Sequence, residues 1–266
     1  MEMLKKRIPT SWKSATRKTL RRIADRARGY GMINRGGKGI VNVIDIGSVE
    51  RLPSPWYEHA ARIRYLLMFE PRAGKHQNPG ITALDVAVWS HDETRDFYIY
   101  AGNEGQGSSL LPQDVEYVRA HYDELKTRGP RHMAETWFDR AELARTVLVE
   151  CRSLDSILAE LEQGVRYHFL KVDVQGAEYQ VLQGAADYLQ RDCLGLHLEL
   201  FTIPLYKDMV LLPEVEAYLA GQGFRLVKKL PPHGTFDSQH DCLFLREDVP
   251  AEDVAAMVAI RQVYGL

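Results

Sequence analysis

The chain has 266 residues, 45% hydrophobic and 26% charged, with a formal net charge of −2. This composition excludes disorder of the main body and fills one large domain or two small ones. Cys151, Cys193 and Cys242 lie far apart and form no CxxC or Cys/His cluster, which argues against a disulfide framework or zinc site and for a reducing cytoplasm.

Residues 1–38 contain twelve Lys or Arg against Glu2 and Asp25, so this arm carries +10 and the remainder −12. Leu20, Ile23, Ala24 and Ala27 mark one helical face, with Arg17, Lys18, Arg21, Arg22 and Arg26 around it. Such a helix fits an anionic membrane or polyanion, or else packs by its narrow apolar face on the domain. No apolar stretch reaches transmembrane length and no uncharged apolar run follows the basic start, so no secretory signal is expected. The expected location is cytoplasmic, with the inner membrane face as a candidate surface for residues 1–38.

After "NRGGKG" the pattern alternates between strands and helices. "IVNVIDIG" and "IRYLLMFEP" are near-continuous apolar runs, as a parallel sheet buried on both faces requires. "GITALDVAVWS" reads as a third run, and "RDFYIYAG" as an additional strand or hairpin. "NEGQGSSLLPQ" is loop-like, and the chain stays irregular or partly helical to about Arg140, with "DVEYVRAHYDELKTRG" as its helix. The alternation then resumes with the strand "TVLVECR" and the helical "SLDSILAELEQG", for which Ser153 is the N-cap. "FLKVDV" is a strand that runs through Gln175-Gly176 into a helix with Ala177, Val181, Leu182 and Ala185 on one face. "CLGLHLELF" is a strand, "LLPEVEAYLAGQG" a helix, and "FRLVKKL" with "DCLFLRE" a closing strand pair. Repeated βα units predict an α/β fold with a doubly wound sheet, whose ligands bind at the carboxyl ends of the strands.

Asp45, Glu70, Asp85, Asp173 and Glu199 all fall at or near such ends, where an unpaired charge is costly unless it faces a wet crevice. Gly47 after the first strand lets a ligand approach the backbone closely. Glu70 after the second suits the two hydroxyls of a ribose, or simply caps the strand before Pro71. No GxGxxG is present, so a pyrophosphate cradle has little support. A glycine loop followed by an acid fits an adenosine-containing ligand without pyrophosphate, such as S-adenosylmethionine. Asp85 would then meet the adenine or remain an ordinary strand-edge carboxylate.

The stretch "FLKVDVQGAEYQVLQGA" resembles the signature of FkbM-type S-adenosylmethionine-dependent methyltransferases, an apolar run, K-[IV]-D-[VT]-[EQ]-G-A-E, then a helix ending in L-x-G-A. "VIDIGS", "LMFEP", "SSLLPQ", "CRSLDSIL", "LHLELFTIPLY", "GFRLV" and "HDCLFLR" follow the family's order and spacing from about Val41 to Arg246. The resemblance implies a Rossmann-like class I methyltransferase sheet at 39–266, outside which the basic arm at 1–38 lies. It implies that Asp45, Gly47 and Ser48 line the methionine side of the cofactor, that Glu70 with Pro71 holds the ribose, and that Asp85, Val86 and Ala87 lie beside the adenine. It places Asp173 at the reactive centre. The family's commoner first loop, D-[VI]-G-A-N-x-G, is replaced here by Ser48-Val49-Glu50-Arg51-Leu52-Pro53, which lacks the second glycine and belongs with a proline- and tryptophan-containing branch.

Methyl transfer from a sulfonium to a hydroxyl requires aligned partners, exclusion of water and a group that accepts a proton. Asp173, His197 and Glu199 are the candidate bases, the last two sharing one face of a strand; a strand histidine is also often a hydrogen-bonded structural residue. Asp173, Glu199 and Asp241 offer hard oxygen ligands, but nothing in their spacing requires a metal. Glu178 suits a helix-dipole or fixed hydrogen-bond role. The resemblance implies an O-methyltransferase acting on a hydroxyl of a glycan, glycolipid or related secondary metabolite, so that the expected partner is a small-molecule or glycan acceptor and no nucleic acid. A nucleotide-sugar or nicotinamide oxidoreductase on the same sheet, and a non-catalytic membrane or polyanion module, are the alternatives.

Overall fold

Two strands, β1 (Val41–Ile46) and β8 (Phe169–Val172), are buried at every residue, as a parallel sheet covered on both faces requires. The computed structural model describes residues 33, 39–47, 52, 54–71, 76–78, 80–102, 107–161 and 164–266. The rest of the basic arm, and Ser48, lie outside the described residues.

Between those strands come β2 (Ile63–Phe69), β3 (His76–Asn78), β4 (Ile81–Leu84), β5 (Ala87–Val88), β6 (Glu93–Tyr100), α1 (Val115–Leu125), α2 (Arg131–Glu135), α3 (Trp137–Arg140), β7 (Leu143–Arg152) and α4 (Leu154–Glu160). After β8 follow α5 (Glu178–Gln183), α6 (Ala186–Arg191), β9 (Gly195–Phe201), α7 (Leu212–Gly221), β10 (Phe224–Lys229), β11 (Gln239–Arg246) and α8 (Val254–Val263). The main sheet has the order β10-β11-β9-β8-β1-β2-β4-β3. Its inner pairs are parallel, whereas β11 runs antiparallel to β9 and β10. The chain leaves β1 in one direction through β2 and β4 and returns on the other side through β8 and β9. The gap between β1 and β8 is therefore the topological switch point, where the carboxyl ends leave a crevice.

One face packs Ile44, Ile46, Leu170, Val172, Leu196 and Leu198 against the α4–α7 layer. The other packs Val43, Leu66, Phe169 and Leu243 against Met257, Ile260 and Val263 of α8 and the buried Trp56. Trp56 lies in the proline-containing first loop, its ring 4.9 Å from Phe169. Ile33, within the basic arm, is also buried in this layer.

Two sequence expectations change. "GITALDVAVWS" splits into β4 of the main sheet and β5, while "TVLVECR" does not rejoin the main sheet: β7 pairs parallel with β5 and antiparallel with β6 in a separate three-stranded sheet. The reason is one-sided burial. Leu148 of β7 is 73% exposed while Cys151 is buried, an alternation that a strand covered on both faces does not show. The Ser153 N-cap stands as expected, its hydroxyl accepting from the Ser156 N–H at 3.1 Å.

The helix after β8 breaks at Gly184, where an added Cβ would lie 1.9 Å from the Trp89 carbonyl oxygen. This glycine lets the α5–α6 corner seat against the start of the small sheet. Gly184→Ala should therefore cost about 1–3 kcal/mol by overpacking, measured as a lowered denaturant midpoint with an unchanged slope.

Candidate active site

Strand alternation brings Asp45, Lys171 and His197 side by side on one face of the main sheet, Asp45 paired with Lys171 and Lys171 with His197. Two residues further toward the carboxyl ends, the same alternation carries Gly47, Asp173 and Glu199, with Asp241 paired opposite Glu199. The result is a two-row grid of charge across β1, β8, β9 and β11.

Lys171 is its cation. Its Nζ lies 3.2 Å from Asp173 Oδ2 and 3.6 Å from Asp45 Oδ1. Burial works to lower the Lys171 ammonium, but Asp173, Asp45 and Glu199 outweigh it and hold it above its ordinary range. Burial works to raise the Asp173 carboxyl, while the Lys171 charge and the Gln175 amide bring it below its usual value. Glu199 moves the other way: burial, then the charges of Asp173, Glu178 and Asp241, hold it well above the usual carboxylate range. Two neighbouring carboxyls driven in opposite directions are the electrostatic pattern of an acid and base pair.

Gln175 links the two. Its Nε2 donates to Asp173 Oδ1 at 3.0 Å and to Glu199 Oε2 at 2.6 Å, and Gln239 Nε2 donates to the same Glu199 oxygen at 2.8 Å. Gln175 adopts the left-handed conformation, φ 57°. Glu178 fixes this turn, accepting the N–H groups of Val174 and Gly176 at 3.0 Å each. Burial pushes the Glu178 carboxyl up to about 8.

Over the switch point lies a cavity of about 610 Å³. Of the residues singled out in the sequence, Gly47, Glu70, Pro71, Val86, Ala87, Asp173 and Glu199 line it. Asp45 is buried beside Lys171, and Asp85 is half-buried next to Val86 but does not line the cavity. Ser48 is outside the described residues. His197 is not brought to the cavity: its Nδ1 is 3.0 Å from the Tyr264 hydroxyl and its Nε2 3.0 Å from Asp241 Oδ1. Both ring nitrogens are thus engaged in anchoring the end of α8 to β11.

The walls differ in character. Phe69, Val86, Val88 and Phe97 provide an apolar stretch near Glu70, while Trp137, Phe201, Tyr206, Gln113, Arg140, Thr235 and Ser238 supply aromatic and polar wall. Sequence reasoning did not select Lys171, Gln175 or this second wall; a lysine two residues before an acid in an apolar strand was the available signal for Lys171. The chemistry of the donor set fits an adenosine-bearing ligand. A carboxylate stands beside apolar surface, and at Gly47, φ +81°, a Cβ would lie 1.9 Å from the Asp173 carbonyl oxygen, so β1 can turn this close only as glycine. The cavity volume lies within the roughly 300–1,000 Å³ range of small-molecule sites. Among the described residues no His, Cys, Asp or Glu group has metal-holding geometry, and no helix is long and apolar enough to cross a membrane.

Residues 48–226 match the family model of the methyltransferase FkbM domain. No curated protein matches the sequence. Among solved structures the chain is similar to methyltransferase FkbM from Methylobacillus flagellatus KT, at 15% identity and a TM-score of 0.43, over 77% of this chain and 43% of that one. It is also similar to magnesium protoporphyrin IX methyltransferase from Synechocystis PCC 6803, solved with bound SAM, at 11% identity and a TM-score of 0.36, over 85% of this chain and 80% of that one. The chain thus spans less than half the length of the Methylobacillus protein.

Removing the cation that Asp45 and Asp173 share should be the most damaging single change to this grid. Lys171→Met is expected to cost about 3–5 kcal/mol near pH 7. In that variant the folded-state carboxyls rise above their unfolded values, so the loss should shrink as pH falls toward about 5 and they protonate. Denaturant unfolding at both pH values checks the magnitude and the sign.

Proposed function

Because the chain belongs to the methyltransferase FkbM domain family, we propose that it is an S-adenosylmethionine-dependent O-methyltransferase acting on a hydroxyl of a glycan, glycolipid or related secondary metabolite. One observation carries this reading: Gly47 after β1, Glu70 after β2 and Val86–Val88 after β4 line the same cavity as Asp173 and Glu199. Family membership sets aside the oxidoreductase alternative, which also lacks its glycine-rich loop, and the purely non-catalytic one.

Bound S-adenosylmethionine would supply an electrophilic methyl group. Glu70 with Pro71 would hold the ribose, Val86 and Ala87 the base, and Gly47 with Ser48 the methionine end. Glu199 is the better proton acceptor, since its carboxyl has the raised proton affinity that general base catalysis near neutral pH favours. Asp173 keeps its charge through Lys171, and its side chain is 35% exposed; it would accept the hydrogen bond that orients the acceptor hydroxyl. His197 would act at a distance, holding Asp241 beside Glu199. The arm upstream of Ile33 would be a separable unit with an anionic membrane surface as its partner.

Calorimetry with S-adenosylhomocysteine against NAD tests the class, with binding expected from the former alone. Glu70→Ala should weaken S-adenosylhomocysteine by about 1.5–3 kcal/mol with little effect on melting; unchanged affinity in a folded variant rejects the ribose role.

The base assignment is tested by single-turnover methyl transfer once an acceptor is identified. Glu199→Gln should retain cofactor affinity, slow the chemical step about 10²-fold or more, and abolish the rise of rate with pH that deprotonation of Glu199 produces. A wild-type single-turnover rate in that variant transfers the role to Asp173.

A further inference from the structure

Arg140, the last residue of α3, is the sole Arg or Lys among the described residues lining the cavity. Its Nη2 donates to the Met133 carbonyl at 2.7 Å and to Thr235 Oγ1 at 2.8 Å, and its Nε to Thr136 Oγ1 at 3.3 Å. All three partners are neutral. They use three of the five guanidinium hydrogens, leaving both hydrogens of Nη1 without a partner among the described residues. Burial opposes the Arg140 charge, and among the described residues the ionisable group acting on it is the phenol of Tyr206, with no carboxylate offsetting it.

A guanidinium held rigidly by neutral acceptors in a partly enclosed space keeps its charge for a ligand, and an oxyanion is the ligand that repays the desolvation. General attraction does not explain such a site, since residues 39–266 carry −12 and the body as a whole repels anions. Among the described residues the cavity is therefore polarised, with Asp173 and Glu199 on one group of strands and the Arg140 guanidinium on α3.

We propose that Arg140 recognises a carboxylate or phosphate carried by the methyl acceptor, so that the preferred substrate is an acidic sugar or a sugar phosphate and not a neutral one. This rests on the reading of the cavity as a cofactor and acceptor site. Arg140 takes no part in the chemistry; it selects and orients. Thr136 and Thr235 hold the guanidinium in place, and the polar wall beside it, Gln113 and Ser238, offers neutral groups to the rest of the sugar.

The test titrates the full chain, with and without saturating S-adenosylhomocysteine, with D-glucuronate, D-glucose 6-phosphate and D-glucose. At least one anion should bind about tenfold or more tightly than glucose, and the two anionic arms distinguish carboxylate from phosphate recognition. Arg140→Gln should abolish that advantage while leaving S-adenosylhomocysteine and glucose affinities unchanged. Raising chloride on the wild-type chain provides a second measure that needs no variant: the anion's advantage should shrink and glucose binding should not. Equal binding of all three sugars, or an anion preference that survives in folded Arg140→Gln, overturns the proposal. Failure of S-adenosylhomocysteine to bind counts against the cofactor reading instead, and the sugar comparison without it still decides the role of Arg140.

Discussion

The buried ammonium of Lys171 is the interaction on which the rest of the site depends. It lies between Asp45 and Asp173 at the junction of β1 and β8, where the carboxyl ends of strands that wind in opposite directions meet. Without a cation, two carboxylates on adjacent strands of a doubly covered sheet would repel one another and lose hydration together. With it, Asp45 can be buried and Asp173 can stay ionised at the cavity wall. Further along, burial raises Glu199 first, and the charge that Asp173 keeps beside this cation adds to it. Stability and the proton affinities at the cavity wall are thus linked through one side chain.

The second constraint is enclosure. A crevice at a switch point is open on the side facing solvent, and here the insertion between β4 and β8 covers it. Phe97 of β6, Trp137 of α3, Phe201 at the end of β9 and Tyr206 beyond it share one hydrophobic cluster, so the small sheet and the short helices form a wall continuous with the domain. That wall contributes apolar surface and Arg140 to the same cavity whose floor carries the carboxylates. Exclusion of water strengthens each of these charges in turn.

How much of this was legible depended on whether the signal was local. The strand, turn and helix at 169–185 could be read from a change of hydrophobic period within seventeen residues, and acids ending apolar runs marked the cavity floor at Glu70, Asp173 and Glu199. The small sheet departs from the expected order because the apolar run Val147–Val149 is short and sits in an alternating strand: Thr146, Leu148 and Glu150 face out, while Val147 and Val149 pack inward. Arg140 sits in a stretch without sustained periodicity, and its placement depends on Thr235, 95 residues away. His197 looked like a base because its partners were invisible. Tyr264 and Asp241 lie 67 and 44 residues further on, and only folding brings α8 and β11 against it.

Gln175 shows how the site places a side chain that no strand or helix would place. A non-glycine residue in the left-handed region costs about 1–2 kcal/mol, yet this position must send its amide back over the sheet edge to reach both Asp173 and Glu199. An extended residue there would carry the chain away from the carboxylates. Glu178 offsets the cost. Its carboxyl accepts the N–H groups on either side of Gln175, each such bond contributing about 0.5–1.5 kcal/mol net and more where the acceptor is charged. Gly176 follows at φ +98°, with Tyr206 packed so closely that an added Cβ would lie 3.0 Å from its ring. The turn is therefore held from three directions, by a buried carboxyl beneath, an aromatic ring at its side and the two carboxylates it bridges. That accounts for glutamine, glycine and glutamate at 175, 176 and 178: each supplies a different part of one rigid turn whose product is a correctly aimed amide between two carboxyls of opposite proton affinity.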